Sequence, residues 1–259
     1  MIKKITKRII KKFILKLTGY ELVRSDVCTP SSDKRPIGEM KSFIEDLKAR
    51  GLDCKYILDI GANHAYWSSE VKKVYPNANF CLIEPQIEMK KYLDNFVNKN
   101  EGSVYFLAGA GAQKGELTLT IYEGLAGSSF LPEKNDDLLK KGKQRVIDII
   151  TIDSLIISKK VQMPELMKLD VQGFELEVLK GAELTFGKTE VYIMETSLFS
   201  FSDGPGMPEF AEVINFMLAR GYVVYDFAGF LRRPFDGALG QCDICFVKKD
   251  GFLRESKDW

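Results

Sequence analysis

From residue 56 to residue 247 the chain alternates short apolar runs with longer amphipathic stretches, and this alternation restricts the fold more than any other feature of the sequence. Residues 56–60, 80–83, 104–108, 145–152, 165–169, 191–194, 222–227 and 244–247 read as short buried strands. Helical stretches follow the first two, ending near Tyr75 and Val97. Others cover residues 153–157, 175–184 and 208–220, the last stopped by Gly221. Residues 115–130 break the rhythm: "GELTLTIYEGLAGSSF" has period-two alternation and predicts a hairpin or extended excursion. Strands joined by helices through short connections give a mostly parallel sheet covered on both faces, a three-layer α/β sandwich. Such a sheet binds ligands at the carboxyl ends of its strands, where the strand order reverses. The ends of the first strands are therefore where the chemistry is expected.

A chain of 259 residues, 45% of them hydrophobic, suffices for one core of this kind. The sequence divides into residues 1–36, a basic amphipathic helix with a linker, and residues 37–259, the α/β domain. Overall charge is +1, but seven cations (Lys3, Lys4, Lys7, Arg8, Lys11, Lys12, Lys16) and no acid fall before Tyr20. Ile2, Ile5, Ile9, Phe13 and Leu17 lie on one face of a helix over residues 1–18. Cations beside an apolar face predict a helix lying in an anionic membrane surface; the competing expectation packs that face on the domain or on a second subunit of a homo-oligomer. Nucleic acid is disfavoured, because the segment offers only Phe13 for stacking. No stretch is apolar enough to span a membrane and the N-terminus lacks the pattern of a signal peptide, which points to the cytoplasm. Five cysteines without an evenly spaced framework agree with reduced thiols. Cys242 and Cys245, three apart on a strand, point to opposite faces and read as core thiols rather than a metal knuckle. With His64 the single histidine, no multi-histidine metal site is available, and no metal is expected.

Three motifs carry the chemistry. "ILDIGANHAYWS" (57–68) puts a glycine turn between strand and helix, which lets backbone approach a ligand closely. Its glycine spacing is not the G-x-G-x-x-G of a pyrophosphate cradle, which argues against a nicotinamide-dependent oxidoreductase and for an adenosine ligand without a phosphate. Glu84 in "CLIEP" ends the second strand, where a carboxylate accepts hydrogen bonds from ribose hydroxyls. In "MKLDVQGFELEVLKGAE" (167–183), Lys168 is a charge inside a buried strand and needs a partner, Asp170 stands over the crevice, Gly173 allows the turn, and Glu175 opens a helix where its charge suits the dipole.

"LDIGANHAYWS", "TIDSL" and above all "KLDVQGFELEVLKGA" resemble the FkbM family of S-adenosylmethionine-dependent methyltransferases, over roughly half the chain. The resemblance implies a class I, Rossmann-like methyltransferase fold of seven strands with the last antiparallel, S-adenosylmethionine as cofactor, and acceptors that are hydroxyls of sugars, polyketides or related metabolites. It places Asp59, Gly61 and Asn63 in the cofactor turn, Glu84 on the ribose, Asp153 in an "LD" motif, and Asp170, Gly173 and Glu175 in a "D-V-[EQ]-G-[FY]-E" motif. "GSS" at 127–129 is similar to a serine-rich loop of these proteins, making Ser128, Ser129 and Glu175 expected acceptor contacts. Two departures stand out. Ala65 occupies a position usually held by glycine, and Gln172 replaces a more frequent glutamate, removing a carboxylate from the rim. Asp170 is the first expected general base and Glu195, ending "VYIMET", the second; Lys168 pairs with Asp170 or orients the acceptor, and His64 is expected to face solvent. Other readings are the same fold methylating nitrogen in RNA or protein, for which a [DN]-P-P-[FYW] turn is missing, and a non-catalytic membrane-associated binding protein.

Overall fold

The computed structural model describes residues 35–132, 138, 141–200 and 207–256; the basic segment at 1–18 and Cys28 lie outside them. Five parallel strands build most of the sheet: β1 (Tyr56–Ile60), β2 (Asn79–Ile83), β3 (Val104–Phe106), β7 (Leu166–Leu169) and β8 (Val191–Ser197). They lie in the order β3-β2-β1-β7-β8, so the order reverses between β1 and β7. β10 (Leu239–Lys248) pairs antiparallel with β8, and β9 (Tyr222–Arg232) closes that edge against β10. This is the seven-stranded, mostly parallel sheet of a class I methyltransferase, with the last strand of the chain antiparallel.

A second sheet accounts for the break in the alternation. β4 (Gly109–Ala110), β5 (Gly115–Thr120) and β6 (Gln144–Ile150) form it in the order β4-β6-β5. The excursion after Gly115 is thus a strand of this side sheet, and the apolar run expected at 145–152 joins it rather than the main sheet. Residues 104–108 also split: β3 stops at Phe106 and β4 begins at Gly109.

Alternation along buried strands sends side chains to two separate cores. Leu58, Ile60, Met167, Leu169 and Met194 pack with Ile152 and Leu155 of α4 (Ile152–Ile157), Val178 and Leu179 of α5 (Glu175–Lys180), and Val213 and Met217 of α6 (Phe210–Leu218). On the opposite face Ile57, Phe80, Leu166 and Ile193 meet Phe43, Ile44 and Leu47 of α1 (Met40–Ala49), Val71 of α2 (Tyr66–Val74), and Leu93 and Phe96 of α3 (Lys90–Lys99). Each such side chain contributes about 1.5–3 kcal/mol on burial. Cys242 falls in the first core and Cys245 in the second, as their spacing on a strand requires. Arg35 pairs with Asp46 of α1 and Asp226 of β9, tying the first described residues to the sheet. Among the described residues no helix is long and apolar enough to cross a membrane.

Candidate active site

The turn from β1 to α2 is built from left-handed backbone: Gly61 has φ +81°, Asn63 +45° and Ala65 +55°. Gly61 is obligatory, since a Cβ there would lie 1.9 Å from the Asp170 carbonyl oxygen. Ala65 carries a conformation that costs an L-residue roughly 1–2 kcal/mol, which explains why glycine suits this position. The Gly61 and Ala62 amides donate to the Ile83 carbonyl at 2.9 and 3.1 Å, which locks the turn to the end of β2.

Glu84 sits there, almost wholly buried. Its Oε2 accepts the Asn63 amide at 2.8 Å, and its Oε1 accepts the Gln86 amide at 3.0 Å and Gln86 Nε2 at 3.1 Å. Burial pushes its pKa up, opposed by these bonds. Ser128 Oγ donates to Gln86 Oε1 at 3.2 Å, and Ser129 Oγ donates to the Gln172 carbonyl at 2.7 Å while accepting the Leu131 amide. The GSS loop is therefore stapled from the end of β2 to the turn after β7.

At that turn Lys168 Nζ donates to Asp170 Oδ2 at 2.8 Å. Gln172 Nε2 donates to Asp170 Oδ1 at 2.9 Å and to Glu195 Oε2 at 2.7 Å, so one amide bridges two carboxyl groups. Gln172 (φ +53°) and Gly173 (φ +92°) turn the chain, and Glu175 Oε1 accepts the Val171 and Gly173 amides at 3.1 and 3.2 Å. Lys168 settles which acid ionises. Burial would raise Asp170, but the Lys168 ammonium overcomes it and holds Asp170 below the ordinary carboxylate range. Desolvation and the neighbouring Asp170 charge push Glu195, itself half-buried, up to about 9. Asp59, fully buried and the register partner of Lys168, is raised by burial as well.

A cavity of about 390 Å³ runs between these two ends, within the range of small-molecule clefts. Gly61, Asn63, Glu84, Ser128, Asp170 and Glu195 all reach its wall, beside Gln86 and Gln172. The other expected residues take different places. Asp59 lies beneath the turn, accepting Ser68 Oγ at 2.6 Å. Ser129 is used in the staple, Glu175 holds the turn amides, and Lys168 stands behind Asp170. Asp153 is off the wall, its carboxylate accepting the Leu184 amide at 2.9 Å. His64 is exposed, its ring edge-on to Tyr92 at 4.3 Å. Sequence reasoning missed Gln86 and the bridging role of Gln172; a glutamine two residues beyond both Glu84 and Asp170 was the available signal.

The residues fit an adenosine ligand. Glu84 uses three of its roughly four lone-pair directions on the chain, leaving one for a ribose hydroxyl. Ile83, Ala108, Leu119 and Phe130 supply apolar wall. Fold and site together define a Rossmann-like methyltransferase. The FkbM methyltransferase domain matches residues 59–224, and the chain belongs to that family, whose cofactor is S-adenosylmethionine. The methyltransferase sdnD of Sordaria araneosa is 27% identical over 156 residues, 49% of this chain and 60% of that one, so the match spans less than two thirds of the relative. Among solved structures, methyltransferase FkbM from Methylobacillus flagellatus KT is similar at TM-score 0.49 and 18% identity, covering 75% of this chain and 44% of that one. Precorrin-6y C5,15-methyltransferase from Geobacter metallireducens GS-15 gives TM-score 0.45 and 14% identity over 85% of this chain and 97% of its own.

Proposed function

We propose that this methyltransferase acts on a hydroxyl group of a sugar, glycan or related polyol. The observation that carries the reading is the Asp170–Gln172–Glu195 bridge on the cavity wall opposite Glu84. S-adenosylmethionine, when bound, supplies an electrophilic methyl on a sulfonium. Glu84 and the Asn63 turn would hold its ribose, while Gly61 sets how closely that turn approaches β7. An alcohol is a poor nucleophile while protonated, and a positioned base contributes about 10²–10⁴-fold. Asp170 is the ionised member of the acid pair and accepts the hydroxyl proton. An oxygen gaining a third bond is strongly acidic, so a carboxylate below the usual range is basic enough. Glu195, protonated at neutral pH, donates a hydrogen bond that orients the acceptor, and the pair titrates as a unit. Lys168 and Gln172 are positioning residues: they fix the charge and the rotamer of Asp170. Alignment of acceptor and methyl can contribute roughly 7–11 kcal/mol.

The test uses cells lacking the gene, with O-methyl sugars in their glycans measured by mass spectrometry. A missing O-methyl group, restored by the wild-type gene and not by Asp170→Asn, is the expected result. In vitro, Asp170→Asn should bind S-adenosylhomocysteine normally while methyl transfer falls roughly 100-fold or more. Unchanged O-methylation in the deleted strain would sink the acceptor assignment, and full activity of Asp170→Asn would sink its role as base. Residues 1–18, whose pattern predicts an amphipathic helix, belong to the same proposal: set on an anionic membrane, they would hold the enzyme near lipid-linked precursors.

A further inference from the structure

A second cavity of about 320 Å³ opens on the far side of Glu195. It shares Glu195, Leu231 and Gln241 with the first, so Glu195 stands on the wall between the two spaces, with Asp170 on the side of the first. Its floor is one row of the sheet. Glu195 of β8 is the register partner of Asp243 on β10, and Asp243 is the partner of Gly229 on β9. Register partners on adjacent strands point to one face, so both carboxyl groups look into the same space. Gly229 keeps that space open, because a Cβ there would lie 2.0 Å from Asp243 Oδ2. Among the described residues no hydrogen bond occupies the Asp243 carboxyl, and no Lys or Arg lines the cavity. Lys168 is the nearby cation, and it is committed to Asp170.

We infer that this second cavity binds the methyl acceptor, and that it takes an uncharged polyhydroxyl group, such as a neutral sugar ring, and rejects phosphorylated or carboxylated ones. The inference rests on the hydroxyl-directed reading above and extends it. Hydroxyl protons satisfy the free lone pairs of Asp243, and Gln241 offers both a donor and an acceptor. An anion here would face the Asp243 and Glu39 carboxylates with no Lys or Arg on the cavity wall, and desolvating it unpaired is costly. A ring seated on Asp243 and Gln241 brings one hydroxyl to Glu195, at the boundary with the cofactor cavity. Asp243 was legible in the sequence by the same signal as Lys168, a charge inside a buried strand, within "CDIC".

Full-length protein with radiolabelled S-adenosylmethionine would be offered methyl glycosides of common hexoses and deoxyhexoses, each beside its phosphorylated or uronic acid counterpart. Transfer to at least one neutral glycoside is expected, with kcat/KM roughly tenfold or more above its anionic counterpart. Asp243→Asn and Gly229→Ala should each raise KM for that glycoside about tenfold, while calorimetric affinity for S-adenosylhomocysteine stays within about twofold. Should Gly229→Ala fail to fold, the isosteric Asp243→Asn carries the test. Equal or better use of the anionic acceptors, no transfer to any neutral glycoside, or unchanged KM in Asp243→Asn would overturn the assignment. The two readings fail differently: O-methylation of an anionic acceptor overturns this inference alone, whereas methylation of nitrogen removes the hydroxyl reading beneath it.

Discussion

Replacing Glu84 by alanine tests the cofactor half of the site. The carboxylate makes three bonds to the chain, through Asn63 and Gln86, and presents its remaining lone pair to the cavity. A hydrogen bond to a charged group is worth about 1.5–3 kcal/mol. At about 1.4 kcal/mol per decade, losing the ribose contact weakens binding roughly 10- to 150-fold. The conservative amide is not expected to rescue it. Oε2 accepts the Asn63 amide and Oε1 accepts the Gln86 amide, so whichever way Glu84→Gln turns, its NH₂ group faces a backbone N–H. Isothermal titration with S-adenosylhomocysteine gives the affinities, and a thermal melt separates binding loss from unfolding. Affinity within about twofold of wild type in Glu84→Ala would refute the ribose assignment, and full rescue by Glu84→Gln would refute the double-acceptor geometry.

The other expectations follow from backbone, charge and surface. Gly61→Ala combines a left-handed φ with a Cβ 1.9 Å from a carbonyl oxygen, and should cost at least about 2 kcal/mol in urea denaturation; Gly115→Ala, with open space around its Cβ, serves as the near-neutral control. Glu195 is held protonated up to about 9 when folded but ionises near its ordinary 4.5 when unfolded. Stability therefore falls as pH rises through that window, because the folded chain binds the extra proton. Glu195→Gln should flatten this slope, raising Tm relative to wild type more at about pH 8 than at about pH 5; equal gains at both would count against the raised pKa. Full-length protein should sediment with anionic vesicles at low salt, and replacing Ile9 and Phe13 with glutamate should abolish this. Equal partitioning would remove the membrane role of that segment.

The architecture was legible because strand and helix periods are local properties of the sequence. The run 56–60, the glycine turn and the acid at residue 84 each sit where their pattern placed them. What escaped was pairing. Nothing in residues 145–150 says that they join residues 109–110 and 115–120 instead of the main sheet, since register is decided by distant partners. The same limit applies to the site. Asp170 and Glu195 were legible as strand-end acids, but the amide linking them comes from Gln172, whose left-handed φ depends on the packed turn. Residues at motif positions also served the chain itself: Glu175 satisfies turn amides and Asp153 caps Leu184. Motif membership alone does not distinguish a contact to ligand from a contact to backbone.

The sheet order has an evolutionary consequence. The residues proposed to hold the cofactor follow β1 and β2 on one side of the reversal, while Asp243, Gly229 and Leu231 belong to the β9–β10 hairpin at the other edge. Glu195 of β8 lines both cavities, joined there by Leu231 and Gln241 of the hairpin. Drift in the hairpin can thus re-tailor which molecule is modified while leaving the donor half intact. A single scaffold with this layout can diversify its acceptors by changing one peripheral ribbon.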